Sequence, residues 1–271
     1  MQKIRPSYLR VFATFARNCW VRDMTFRVNF LINVATAVAW SGVIITFFNV
    51  IFLHTQTIGK GWGRYEYFVF LATGMIVNGL IDTFFFTNCT EFSEHIRKGT
   101  LDFVLLKPID PQFLVSLEKI NWSSLSSVLL GTGLLTYGLV HMAEPPGLVP
   151  VLLYLLFLGV GVAIYYSLLI MLASLSVWMG RNQGIQDYWF YITVFARYPR
   201  NIYEGGWGDA LRTFFTFLVP VLVVVNVPAE TMVGMFHPFL AIFALAAAVV
   251  SLVISRQFLL FALRHYRSAS S

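Results

Sequence analysis

The sequence predicts an all-α integral membrane protein with six transmembrane helices, and three observations carry that prediction. Of its 271 residues, 58% are apolar and only 12% charged, with a mean hydropathy of +0.71. A soluble domain is about a quarter charged. Several apolar runs reach the ~20 residues needed to cross the hydrocarbon core of a bilayer. Lys and Arg gather on the flanks of these runs and alternate in number from one connection to the next, the pattern that sets topology in membranes. The length accommodates six spans with short connections and no soluble catalytic domain beside them.

Residues 1–27 carry Lys3, Arg5, Arg10, Arg17, Arg22 and Arg27, with Tyr8, Leu9, Phe12, Phe15, Ala16, Cys19 and Trp20 between them at near-helical spacing. This predicts an amphipathic helix in the cytoplasmic interface; the alternative is an irregular basic leader that only sets topology. No small-residue cleavage motif follows a short apolar core, so the N-terminus is expected to be retained. Span one covers 28–53 and contains Asn29, Asn33 and Asn49, amides that need partners in hydrocarbon. A Gly-rich connector with Lys60 and Arg64 leads to span two, 66–89, which holds Asn78 and Asp82. Asp82 is the one acid well inside an apolar run. It reads either as a relay or substrate contact, or as a structural hydrogen-bond partner.

The densest charged segment between two long apolar runs is 91–108, EFSEHIRKGTLDFVLLKP, with Glu91, Glu94, Arg97, Lys98, Asp102 and Lys107. Charge at bilayer depth costs several kcal/mol, so the chain is expected outside the membrane here. Its mixed signs suit a compact docking element, since paired charges set orientation and partner choice. Gly99 allows a tight helix exit and Pro108 marks the return to the membrane. A solvated loop with no partner is the plainer reading.

Span three, 113–140, is rich in small residues, Ser123, Ser124, Ser126, Ser127, Gly131 and Gly133, which allow close helix approach. Span four covers 149–178. The apolar core of 184–200 runs only from Tyr188 to Ala196 and is bracketed by Arg181, Arg197, Arg200 and Arg212, which predicts an interfacial cytoplasmic segment. Span five, 211–227, has Pro220 in its middle and should kink there. Residues 228–238 form an outer element, and span six covers 239–262. By this scheme six basic residues precede span one, four join spans two and three, four join four and five, and three end the chain, against two on the other side. Both termini are therefore expected in the cytoplasm.

The same distribution argues against nucleic acid as a partner, because the cations flank spans instead of lining a groove. Cys19 and Cys89 fall on or near the inner side, where a structural disulfide is not expected. There is no Walker A loop, HExxH, paired CxxC or GxSxG elbow, and His54, His95, His141, His237 and His265 are scattered, so neither ATP hydrolysis nor a catalytic metal is expected in this chain.

Three stretches carry a resemblance: EHIRKGTLDFVLLKPIDPQFLV at 94–115, FARYPRNIYEG at 195–205 and FFTFLVPVLVVVNVPAETMVG at 214–234. In this order around six spans the chain resembles the six-span ABC-2 permeases of bacterial ABC exporters, over nearly its whole length. The resemblance implies a type V exporter-like fold with an N-terminal interfacial helix at 5–24, a cytoplasmic coupling helix at 91–101 and an outer re-entrant element at 228–238. It implies a half-transporter that pairs with a second copy or a related permease in the bacterial inner membrane. It also implies nucleotide-binding ATPase subunits as partners, with ATP and Mg2+ held there and no cofactor in this chain. Coupling then falls to Glu91, Glu94, His95, Arg97, Lys98 and Gly99. Asn78, Asp82, Ser123 and Ser127 are candidates for the translocation path or for buried polar contacts. The competing readings are a secondary transporter without an ATPase, for which only Asp82 offers a coupling site, and a non-transporting scaffold.

Overall fold

Hydrocarbon offers no water to backbone N–H and C=O groups, so each apolar run must close its hydrogen bonds within itself as a helix. A computed structural model shows this outcome over residues 7–59, 61–179 and 184–266. Residues 1–6 of the expected interfacial helix, and the cations Lys60, Arg181 and Arg267, lie outside the described residues.

The helices are α1 (Tyr8–Thr25), α2 (Arg27–His54), α3 (Arg64–Ile81), α4 (Thr87–Lys98), α5 (Leu101–Leu105), α6 (Pro111–Leu117), α7 (Leu125–His141), α8 (Leu148–Met179), α9 (Ile185–Thr193), α10 (Trp207–Thr213), α11 (Val221–Met232) and α12 (Pro238–His265). A π-helical turn, Asp82–Phe86, joins α3 to α4 without a break, and a second, Phe214–Leu218, extends α10. Among the described residues five helical stretches are long and apolar enough to cross a membrane: 27–54, 64–98, 122–141, 148–179 and 238–265. A sixth candidate is the pair 207–218 and 221–232, bent by 88°.

The bundle has two ends. At one, Tyr65 stacks on His141 with ring centroids 5.2 Å apart, which groups the connections 55–63 and 142–147. At the other, Trp178 lies 6.1 Å from the ring of His265 and Arg256 bonds to Asp110. Helix α11 forms the centre: every residue from Val221 to Met232 is buried against α3, α8 and the turn after α9. Helix α1 lies across the second end, where the Trp122 indole donates to the Ala16 carbonyl at 3.2 Å and the Ile120 N–H reaches the Cys19 sulfur at 3.3 Å. Cys19 and Cys89 are both buried free thiols.

Two segments bear on the sequence expectations. Residues 184–200, expected as an interfacial cytoplasmic segment, are joined to the bundle at several points by the stretch they open. The Trp189 ring packs on Tyr165 at 5.1 Å, the Arg200 N–H donates to Asn226 Oδ1 at 2.8 Å, and Asn201 lies against Gly59 at the first end. The apolar core was judged too short because it was measured as α-helix, at 1.5 Å per residue. Beyond Thr193 the chain is 3₁₀ (Val194–Arg197, Arg200–Tyr203) with extended Tyr198 between, and these rise about 2–3.3 Å per residue. The second segment is 211–238, where a kink at Pro220 was expected. Helix breaks at Val219–Pro220, as a proline without an N–H dictates, and α11 then carries the chain through Met232 as one buried unit. Arg200 and Arg212 consequently sit towards the first end, Arg212 paired with Glu204 at 3.2 Å and Asp209 at 2.8 Å.

Helices α3 and α7 approach each other closely at Gly131. A Cβ on Gly131 would lie 2.9 Å from Ile76 Cγ1 and 3.1 Å from the Ala72 carbonyl oxygen, whereas Gly133 faces open space. Gly131→Leu is therefore expected to destabilise the chain by about 1–3 kcal/mol through overpacking, read as a lower thermal unfolding midpoint in detergent. Gly133→Leu should leave the midpoint unchanged, and equal losses in the two variants would contradict the packing described.

Candidate functional site

Helix α4 leaves the bundle and stops at Gly99, whose φ of +66° is a left-handed conformation open to glycine. The cap is a double one: the Gly99 N–H donates to the Ile96 carbonyl at 3.2 Å and the Thr100 N–H to the His95 carbonyl at 3.0 Å. His95 Nδ1 lies 2.8 Å from Thr100 Oγ1, so this side chain braces the turn. Glu94 pairs along its own helix with Arg97 and with Lys98, the latter at 3.1 Å. Glu91 faces inward and pairs with Lys119. Of the six residues expected at this site, Arg97 and Lys98 are exposed, Glu94 ties them together, and Glu91, His95 and Gly99 hold the shape.

Helix α5 adds what the charge pattern did not show. It buries Leu101 and Val104 and so turns Phe103 and Leu106 outwards, where they are 71% and 79% exposed. Two large apolar side chains standing free beside two cations make a mixed patch of the kind that marks an interaction surface.

Behind this tip is a polar network. Asp110 caps α6, accepting from the N–H groups of Gln112 at 2.9 Å and Phe113 at 3.3 Å, with Pro111 at the first helical position. Arg256 of α12 donates to both oxygens of the same carboxylate, at 2.6 and 2.9 Å, and to Gln112 Oε1 at 2.9 Å. Gln112 in turn donates to the Tyr166 hydroxyl of α8 at 2.8 Å, which also lies 2.8 Å from Ser116 Oγ. The Arg256 guanidinium, followed by the two backbone N–H groups, holds the Asp110 carboxyl below its ordinary value. On the other flank, buried Asn88 donates to the carbonyls of Ser116 and Lys119 at 3.0 and 2.7 Å and accepts from the Lys119 N–H at 2.8 Å. Ser93 and Ser176 hydroxyls meet at 2.6 Å between α4 and α8. Asp110, Gln112, Tyr166 and Arg256 were not singled out from sequence, although the Asp-Pro pair is a helix-start signal and Arg256 is a charge inside an apolar run.

The four intramembrane candidates are not brought together. Asn78 donates to Gly74 of its own helix at 2.8 Å, and Ser127 packs against Gly79. Asp82 opens the π turn and is half-buried; the next residue, Thr83, gives its carbonyl to the Asn121 N–H at 2.9 Å, and Ser123 donates to Asn121 Oδ1 at 2.6 Å. Among the described residues no hydrogen bond joins these four to one another. Asn49 of span one accepts from Arg64 at 2.6 Å, while Asn29 and Asn33 line a cavity of about 370 Å³ with Arg22, Asp23, Lys119 and Asn121. No group of three or more His, Cys, Asp or Glu among the described residues could hold a metal ion.

The model of one protein family, described as ABC-2 family transporter protein, matches residues 38–270. No curated protein and no solved structure matches the chain.

The anchor has a pH signature. A carboxylate with a depressed folded pKa stabilises the fold above its unfolded value and loses that contribution as pH falls through the folded one. Asp110→Asn is expected to cost about 1 kcal/mol near neutral pH, a charged hydrogen bond discounted for partial exposure. The gap between variant and parent should close as pH drops below about 4, followed by thermal unfolding in detergent. A gap independent of pH would assign the loss to something other than this carboxylate.

Proposed function

This chain belongs to the ABC-2 transporter family and is a membrane-embedded permease subunit, and from that premise we propose that it works as the transmembrane half of an ATP-driven exporter. ATP and Mg2+ are held by a separate nucleotide-binding subunit, which docks on the tip formed by Arg97, Lys98, Phe103 and Leu106. The observation that carries this reading is the attachment of the tip. Through Asp110–Arg256, Gln112–Tyr166 and Ser93–Ser176 it is bonded to α8 and α12, so displacement of the tip bears on two spans at once. Such a link can bias a bundle between inward- and outward-facing arrangements.

In this reading Glu91, His95 and Gly99 shape the coupling element and Glu94 orients its cations. Residues 185–203 are the fifth crossing, broken at Pro199, and 207–232 are a hairpin that enters from the outer face and returns to it. Both termini are cytoplasmic, in a bacterial inner membrane. A second permease copy is expected against α2, which is almost wholly exposed apart from Ser41 and Phe48.

Tagged protein extracted in mild detergent is expected to bring a nucleotide-binding subunit with it, and transport in vesicles should depend on ATP; absence of both would end this reading. A sharper outcome is expected from the exchange Glu94→Arg with Arg97→Glu. It keeps the pair on α4 but inverts the charge offered outward, so membrane insertion should be unchanged while ATPase association weakens at least about tenfold, or ~1.4 kcal/mol. Phe103→Ser should weaken association by a further about 1–2 kcal/mol, the usual cost of losing an apolar anchor. Undiminished complex formation in both variants would move the docking site elsewhere.

A further inference from the structure

Arg197 differs from the paired cations. Arg64 is bonded to Asn49, Arg97 to Glu94, Arg212 to Glu204 and Asp209, and Arg256 to Asp110. Arg197 is exposed, and among the described residues it has no acidic partner and no hydrogen-bond acceptor. Its guanidinium carbon lies 4.9 Å from the ring centroid of Phe190, and its charge acts on the buried Tyr165 of α8. Phe190 follows Trp189, which packs on Tyr165 well inside the length of α8. On the other side of Arg197, Arg200 meets Asn226 within α11, and only at Asn201 does the chain reach the loop at Gly59. The guanidinium therefore lies between the two ends of the bundle, over Phe190, whose ring meets that of exposed Tyr191 at 5.7 Å.

An arginine held part-way across a bilayer costs several kcal/mol unless water, a partner or an anion meets it. Its planar fork is made for carboxylate and phosphate, and the Phe190 and Tyr191 rings next to it offer flat apolar surface. We propose that Arg197 receives the anionic group of an amphiphilic cargo as it passes along the 185–203 segment, with the aromatic face taking the apolar part. This rests on the reading of the chain as a permease in which 185–203 crosses the membrane. The test below needs no ATPase, so it can fail while ATPase docking holds, and the reverse.

Purified full-length chain in a neutral maltoside detergent is titrated with dodecyl phosphate, dodecanol and inorganic phosphate, and binding is read as a saturable rise in thermal unfolding midpoint. Only dodecyl phosphate is expected to bind. Arg197→Gln should weaken it at least about tenfold and Arg197→Lys, which keeps the charge but loses the fork, by a smaller factor. In the unsubstituted chain dodecyl phosphate should slow phenylglyoxal modification of Arg197 several-fold and leave Arg264 unaffected, a readout that does not depend on any variant folding. Equal binding by Arg197→Gln, an equal response to dodecanol, or no protection of Arg197 would overturn the proposal. So would inorganic phosphate alone reproducing the effect, which would mean a free-anion site. Loss of dimers in Arg197→Gln with dodecyl phosphate binding intact would assign the cation to the contact between copies and overturn it as well.

Discussion

The carboxylate of Asp110 is the point on which the second end of this bundle turns. It ends one piece of chain by capping α6, and it joins two distant ones by accepting the guanidinium of Arg256, 146 residues later. The two roles reinforce each other. The cap fixes the carboxylate in orientation, which lets a planar donor meet both oxygens, and the cation keeps the carboxylate ionised, which strengthens the cap. Gln112 and Tyr166 continue the chain of bonds to α8. A short helix that could have been a loose connection is thereby made part of the bundle.

A different constraint governs the interior. Where 185–203 gives up regular helix at Tyr198 and Pro199, its freed backbone groups need partners. Asn226 supplies one by accepting from Arg200, and the Tyr203 hydroxyl donates to the Phe195 carbonyl at 3.0 Å. These bonds explain why α11 is buried on every side: it serves as packing for three helices and as hydrogen-bonding surface for a segment that cannot satisfy itself. The sharp turn at Val219–Pro220 brings it into that position.

Much of this was legible in the residues and some was not, for reasons that differ. The all-α, multi-span character follows from apolar runs such as 239–262, because length and hydropathy act locally and lipid permits few answers. The charged helix and its end at Gly99 could be read because caps are local too. The path of the chain after Tyr188–Ala196 depends on rise per residue and on Asn226, neither of which is visible in composition. Arg197 and Arg200 look alike in a count of cations, although one is exposed and the backbone N–H of the other meets Asn226. Phe103 and Leu106 read as ordinary apolar residues until α5 turned them outwards. Arg256 was counted for topology and passed over for its partner, which lies far away in sequence.

Helix α1 deserves a last look in mechanical terms. It floats beside the bundle, yet Cys19, Ala16 and, through Tyr8 against Phe113 at 4.9 Å, its first turn all grip residues 113–122. That same short connection carries Glu118, bonded to Lys107 at 2.8 Å, and Lys119, bonded to Glu91. A displacement of α1 is thus passed to residues 113–122 and, through the two ion pairs, on to α4 and the turn after α5, so that three stretches far apart in the chain behave as one lever.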